Sequence, residues 1–383
     1  MINFLILISI IVALITLSQI IRIFEISNKI KNSRESDITF KDNDRQGKLL
    51  LTFGFLFIAS FFLMNAKWTK SLLPISASEH GHEIDLLMNI SLGLIIIVFL
   101  ILQPVLFYFS YKYRGVKNRK ALFITHNNKA EIIWTIIPGV VLTVLIIYGL
   151  QTWSKVMDRS NIDDALVIEV YGRQFDWTAR YAGEDNFLGN ANVRFISDAN
   201  ILGVISNDSY KSQIFNINKK INKLKNQISV EKNYIKKNQL SKRYEKMISK
   251  KLRFSTLKEK TPKDLLKAAD DDLVVREIHL PVNKKIHMKF RAQDVIHSAY
   301  MPHFRVQMNC VPGMNTDFVF RPTLTTEEMR KEVKNEDFDY VLLCNKVCGG
   351  AHYNMQIKII VESEEKFNQW ISGQTKFALS YLN

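Results

Sequence analysis

Four runs without a single charged residue constrain this chain more than any other feature. They cover residues 1–21, 49–66, 86–111 and 132–154, at 21, 18, 26 and 23 residues. As helices they are long enough to cross a hydrocarbon core about 30 Å thick, which excludes a purely soluble protein. The averages hide this. Over 383 residues, 47% hydrophobic and 23% charged look ordinary, because the two kinds are segregated along the chain. Composition also excludes collagen, a disulfide-rich toxin and a wholly disordered chain.

Loop charges set the orientation, since short cytoplasmic loops collect Lys and Arg. Seven lie between the first two runs: Arg22, Lys29, Lys31, Arg34, Lys41, Arg45 and Lys48. The next loop has only Lys67 and Lys70, opposed by Glu79, Glu83 and Asp85. The third returns to six: Lys112, Arg114, Lys117, Arg119, Lys120 and Lys129. This alternation puts the N-terminus outside, two loops in the cytoplasm, and everything after about residue 155 outside. The first run lacks a basic leader and a small-x-small cleavage site, so it reads as an uncleaved span rather than a secretory signal.

The net charge of +15 is local. Between Lys211 and Lys260 sixteen Lys/Arg face Glu231, Glu245 and Glu259, a balance of +13, which leaves +2 elsewhere. A nucleic-acid-binding surface would spread its charge over a fold with interleaved aromatics. Here it is confined to one insertion, so no nucleic-acid partner is expected. Within that insertion Ile217, Ile221, Leu224 and Ile228 fall at helical spacing, as do Leu240, Tyr244 and Met247. The pattern predicts a two-helix arm over about 199–270. It is either a solvated hairpin or a surface that docks on an acidic partner or on anionic lipid headgroups.

Around the insertion the pattern is β-rich. Ala165–Tyr171, Phe175–Tyr181, Leu273–Leu280, Lys284–Arg291, Thr316–Phe320, Tyr340–Cys344 and Met355–Glu362 cluster Val, Ile, Phe and Tyr between Pro and Gly punctuation. Such spacing predicts an antiparallel Greek-key sandwich. Short helices are expected at Thr325–Glu332, behind a Thr cap, and from Ser363 to about Ile371.

The chemistry concentrates in Cys344-Asn-Lys-Val-Cys348-Gly-Gly-Ala-His352-Tyr-Asn-Met355. Two thiols, an imidazole and a thioether lie within twelve residues, between two strands. Soft sulfur with imidazole selects copper, zinc or iron–sulfur centres. A structural zinc site has no use for a thioether, so Met355 favours copper. A further imidazole, His297, follows Asp294-Val-Ile and precedes Ser298. Copper in such a site suits electron transfer rather than bond-making.

With these residues the chain resembles subunit II of the haem–copper cytochrome c oxidases, over roughly 80–200 and 271–365. The resemblance implies a dinuclear CuA centre of two copper ions. Cys344 and Cys348 would be bridging thiolates and His297 and His352 terminal ligands. Met355 and the backbone carbonyl of Lys346 would be weak axial ligands. A second match is Glu131-Ile-Ile-Trp134-Thr135-Ile-Ile-Pro138, where Glu131 would stand at the mouth of a proton-uptake route on the cytoplasmic side. The implied architecture is a multidomain membrane protein with four transmembrane α-helices and an all-β Greek-key cupredoxin sandwich bearing a helical insertion. Its parts are an extra N-terminal hairpin over 1–70, an oxidase-type hairpin over 71–157 and the external CuA domain over 158–383. The first two spans are expected to pack on other subunits.

The implied function is electron transfer within an oxidoreductase of the respiratory chain. A separate c-type cytochrome would deliver electrons to CuA, and haem in subunit I would receive them for O2 reduction coupled to proton translocation. Partners are then subunit I, other oxidase subunits, the cytochrome and membrane lipid, at a bacterial inner membrane with the C-terminal domain periplasmic. No Cys-x2-Cys-His occurs, so no haem is attached to this chain. Alternatives are the CuA subunit of a nitric oxide reductase and a membrane-anchored copper-handling cupredoxin.

Three positions depart from the family pattern. Lys346 replaces a Glu and Asn309 an Asp, the acids that would hold magnesium, so the usual magnesium site is expected to be absent. Phe175, in Gly172-Arg-Gln-Phe175-Asp-Trp177, replaces the Trp where the cytochrome delivers its electron. Phe175 and Trp177 are the candidates for that step. Cys310 joins no ligand set and reads as a buried apolar Cys.

Overall fold

The computed structural model describes residues 2–30 and 39–377. Lys31 and Arg34, two of the loop charges, lie outside the described residues. The chain forms two compact units, residues 1–72 with 91–138 and residues 73–90 with 139–383.

Four long helices come first: α1 (Ile2–Ile30), α2 (Phe40–Leu72), α3 (Gly81–Lys112) and α4 (Asn128–Val156). Among the described residues three of them, α2 to α4, are long and apolar enough to cross a membrane. Large apolar side chains such as Phe55, Leu63, Ile95, Ile101 and Val144 face outward, as lipid-facing helices require. Within the first unit α2 packs on α3. Phe53, Phe57 and Phe61 meet Phe99 and Phe107 with ring centroids 4.9–6.4 Å apart. Gly54 makes that approach possible, because a Cβ there would lie 2.3 Å from Phe107 Cγ. Arg114 and Asp44 pair at 2.6 Å. An aromatic seam thus ties α2 to its own chain.

The second unit is a two-sheet β-sandwich. Its strands are β1 (Leu166–Arg173), β2 (Asp176–Tyr181), β3 (Leu273–Val275), β4 (Ile278–Pro281), β5 (Ile286–Ala292), β6 (His297–Met301), β7 (Val306–Cys310), β8 (Thr316–Phe320), β9 (Tyr340–Cys344) and β10 (Gln356–Glu362). One sheet runs β3-β2-β1-β5-β8 and the other β4-β10-β9-β6-β7. The expectation of purely antiparallel pairing fails at two places, since β1 pairs with β5, and β10 with β4, in parallel. The reason is visible at Leu273–Leu280, read from the sequence as one strand. Arg276 and Glu277 separate β3 from β4, and the chain changes sheets there. Alternating burial along β9 and β10 is the period-two signature of a sheet with one buried face.

β1 is buried on both faces. Ile168 and Val170 enter the sandwich core, while Tyr171 on the other face packs with Leu202, Val204, Ala269 and Phe377. Glu169, also on that face, meets Arg180 at 2.8 Å and pairs with Arg291, and Arg180 meets Asp272 at 2.9 Å. Burial opposes the charge of Glu169, but two guanidiniums outweigh it and hold its carboxyl below the ordinary value. Asp272 shares Arg180 and has one oxygen without a partner, so burial wins there and pushes its carboxyl up to about 7.

The insertion forms α5 (Asn207–Val230), α6 (Tyr234–Lys260) and α7 (Lys263–Lys267). Ser206 opens α5 in a capping box with Ser209. Phe195, Tyr210, Ile217, Ile221, Phe254 and Leu266 form a core separate from the sandwich. The expected short helices are α8 (Thr326–Val333), capped by Thr325 and Glu328, and α9 (Glu364–Ser372), capped by Ser363. The first turns of α3 and the residues before it are stitched to the sandwich within this unit. Arg305 grips Asp85 at 2.7 and 2.9 Å and the Pro74 carbonyl at 2.7 Å.

Candidate metal centre

The loop between β9 and β10 closes on itself. The Cys344 N–H donates to the Met355 carbonyl at 3.0 Å, and the Asn345 N–H to Ser298 at 2.9 Å on the neighbouring β6. The first bond brings the two ends of the twelve-residue motif together. The second, with Ala299 opposite Cys344, delivers His297 from the start of β6, although it is 47 residues distant in sequence.

The donor atoms converge. Cys344 Sγ and Cys348 Sγ are 3.9 Å apart, and both thiols are free. His297 Nδ1 lies 3.8 Å from Cys344 Sγ, and His352 Nδ1 3.7 Å from Cys348 Sγ. The Lys346 carbonyl is 3.2 Å from Cys344 Sγ, and Met355 Sδ 3.7 Å from Cys348 Sγ. Each thiol thus has one imidazole and one weak donor beside it. The ligand atoms of His297, Cys344 and Cys348 all lie within 4.8 Å of one another. His297, both cysteines and Met355 are buried, while His352 is half-buried and the Lys346 side chain exposed.

Supporting contacts went unassigned in the sequence. Asp294 Oδ1 sits 2.9 Å from His297 Nε2 and so turns Nδ1 toward the sulfurs, the carboxylate–histidine arrangement usual behind a metal ligand. Burial opposes ionisation of Asp294, yet the N–H of Gln174 and His297 outweigh it and hold the carboxyl below its ordinary value. The Gln174 amide donates to the Cys348 carbonyl at 2.5 Å. Only the Asp-x-x-His spacing hinted at Asp294; nothing local signals Gln174, which is 174 residues from its partner.

Trp177 is fully buried, edge-on to His297 with centroids 5.8 Å apart, and its indole N–H donates to the Met355 carbonyl at 3.4 Å. Phe175 is 37% exposed and lies over Gly349, where a Cβ would come 2.8 Å from the ring. Val347 and Tyr353 on the ligand loop are among the most exposed apolar side chains described. Cys310 is buried opposite His297 on β7, and burial pushes its thiol up to about 12. Glu131 belongs to the first unit. It lies in the first turn of α4 and accepts the Asn127 N–H at 3.3 Å, while Asn127 caps Ala130 at 3.1 Å.

The donor set fits a soft metal such as copper. Burial, then the neighbouring Cys344, pushes the Cys348 thiol up to about 11, so that sulfur holds its proton unless a cation takes its place. Thiolate, imidazole and thioether together are the soft set that copper prefers.

Residues 66–152 match the family described as cytochrome c oxidase subunit II, transmembrane domain, and residues 236–363 the one described as cytochrome c oxidase subunit II, periplasmic domain. Together these cover more than half of the chain. Over 320 residues the chain is 27% identical to the alternative cytochrome c oxidase subunit 2 of Bradyrhizobium diazoefficiens, covering 83% of this chain and 88% of that protein. Over 299 residues it is 24% identical to cytochrome c oxidase subunit 2 of Cereibacter sphaeroides, covering 77% of each. A solved structure, the periplasmic domain of subunit II of cytochrome oxidase of Bradyrhizobium japonicum, aligns at 18% identity over 54% of this chain and 91% of that one. Its TM-score of 0.27 is too low to add to the sequence relationship. These relatives favour the oxidase over the nitric oxide reductase and copper-handling alternatives. The chain belongs to the cytochrome c oxidase subunit II family: it is subunit II of an oxidoreductase complex, a membrane protein with an external C-terminal domain.

Proposed function

We propose that residues His297, Cys344, Cys348, His352, Met355 and the Lys346 carbonyl hold two copper ions as a CuA centre. In this reading the chain accepts electrons from a separate c-type cytochrome for haem in subunit I. The observation that carries it is the paired donor set, with two sulfurs 3.9 Å apart and an imidazole nitrogen within 3.8 Å of each. When bound, the copper pair supplies a one-electron carrier with little change of shape between redox states.

The chain's own residues do the rest. Asp294 fixes the orientation of His297, and Gln174 and Trp177 hold the loop backbone at Cys348 and Met355. Burial of Cys344, Cys348 and Met355 keeps water from the sulfurs. Phe175, Val347 and Tyr353 offer an apolar patch beside the half-buried His352, suited to a cytochrome's exposed haem edge. Phe175 is the better candidate for electron arrival, because Trp177 is buried and packs on His297. Lys346 and Asn309 leave no carboxylate for magnesium at the positions that match the family's acids, and the Lys346 ammonium takes over that charge.

The same proposal includes four spans with α1 as the first, a Greek-key cupredoxin topology, the domain limits 1–70, 71–157 and 158–383, and a bacterial inner membrane with the external domain in the periplasm. Glu131 opens the proton-uptake route. The test is copper stoichiometry and electron paramagnetic resonance on the purified full chain loaded with copper. Two coppers per chain sharing one unpaired electron are expected. A single copper with a localised electron, or preferential zinc binding, would overturn the assignment.

A further inference from the structure

The basic arm ends in a feature that charge alone does not explain. The turn Glu231–Asn233 between α5 and α6 is tightly built: Glu231 accepts the Asn233 N–H at 3.0 Å, Asn233 caps Lys236 N–H at 3.1 Å, and Lys236 pairs with Glu231 at 3.0 Å. The Glu231 carboxylate and the Asn233 side-chain oxygen are thus spent within the turn. Its apolar side chains stand largely in the open. Val230, Tyr234 and Ile235 are 76%, 80% and 69% exposed, at the far end of a hairpin whose 24-residue first helix is about 36 Å long.

The surrounding charge is equally unpartnered. Of the sixteen Lys/Arg between Lys211 and Lys260, only Lys211 and Lys236 meet a carboxylate within 4.0 Å among the described residues. Lys225, Lys232 and Lys237 stand within five residues of these apolar side chains in sequence, and the one acid there, Glu231, is consumed by Lys236. Bulky apolar groups framed by snorkelling lysines match the interface of an anionic bilayer, which supplies hydrocarbon and phosphate side by side. A folded protein partner would call for acceptors as well as donors at fixed positions, and the Glu231 and Asn233 side-chain oxygens are spent on the turn.

We infer that the arm is a second membrane attachment: its tip seats Val230, Tyr234 and Ile235 among the headgroups of an anionic bilayer, and the lysines along α5 and α6 engage the phosphates. The inference rests on the chain being membrane-anchored and not on the copper centre. Tethering to the same membrane makes the encounter intramolecular, so modest affinity suffices.

The experiment is hydrogen–deuterium exchange on the full chain in nanodiscs of phosphatidylcholine, with or without one third phosphatidylglycerol. Exchange of residues 226–240 is expected to slow at least about fivefold with the anionic lipid and to recover in high salt. The variant Val230→Ser/Tyr234→Ser/Ile235→Ser should lose that protection without altering exchange in α8 or α9, because the three side chains make no core. Equal exchange in both bilayers overturns the inference. So does protection that appears only in the assembled oxidase in detergent, since that would identify a protein surface as the occupant. No outcome depends on copper or turnover, so failure here leaves the oxidase reading untouched, and the reverse.

Discussion

Gly172 is the residue whose substitution tests the construction of the metal centre most directly. It lies on β1 beneath the site, and a Cβ added there would stand 2.8 Å from Trp177 Cζ3 and 3.1 Å from His297 Cδ2. Ordinary carbon contacts are about 3.5–4.0 Å, so Gly172→Ala creates overlaps of roughly half an ångström with two rings. Neither ring can swing aside. Trp177 and His297 are fully buried, and each is tied through its nitrogen, to the Met355 carbonyl and to Asp294. Overpacking of this kind costs about 1–3 kcal/mol, offset by about 0.4–1 kcal/mol from the stiffer unfolded chain. At the midpoints the net loss is about 1.3 kcal/mol, which lowers the melting temperature of a domain this size by about 3–5 °C. Because His297 is displaced, copper affinity should fall too. Gly350→Ala, with nothing within 4 Å of its Cβ, is the matched control in the ligand loop and should stay within about 0.5 kcal/mol of the parent. The assay is thermal unfolding of the full chain, with and without copper, beside a copper titration. A Gly172→Ala protein melting within about 1 °C of the parent with unchanged affinity would refute the reasoning.

Asp294→Ala should reduce copper affinity about ten- to a hundredfold through loss of His297 orientation, read by competition with a chelator, while the apo fold is kept. Asp272 carries a pH signature: its folded carboxyl titrates near 7 rather than at the ordinary 3.8. The folded state then holds this proton where the unfolded state has lost it. Stability from this group therefore declines as pH rises from about 4 to 7, by about 4 kcal/mol at most. Asp272→Asn should remove that slope, which denaturant unfolding at a series of pH values would show. Arg180→Met leaves Glu169 and Asp272 buried without their shared cation and should cost about 3–5 kcal/mol, measured at pH 8, where both acids of the parent are charged. Glu131→Gln in the assembled oxidase should slow proton uptake and turnover; if only helix stability changes, Glu131 is a cap and nothing more.

What the sequence could express was whatever is local. Uncharged runs of membrane length declare helices because lipid offers the backbone no other partner. The Cys344–Met355 motif packs five of its donor atoms into one short loop, so its chemistry is readable from residue type and spacing. The Thr-Thr-Glu-Glu start of α8 and the amphipathic run after Ser363 announced the two short helices because such signals lie within a few turns. Tertiary structure decided whatever depends on contacts between distant segments. The change of sheet at Arg276–Glu277, the parallel pairs β1–β5 and β10–β4, and the aromatic seam closed by Gly54 leave no periodic mark. Asp294, Gln174 and Gly172 matter to the metal centre only because folding brings β1 and β6 under the ligand loop. A linear sequence can specify those meetings, but it does not display them, since each residue's role is set by neighbours that no short window contains.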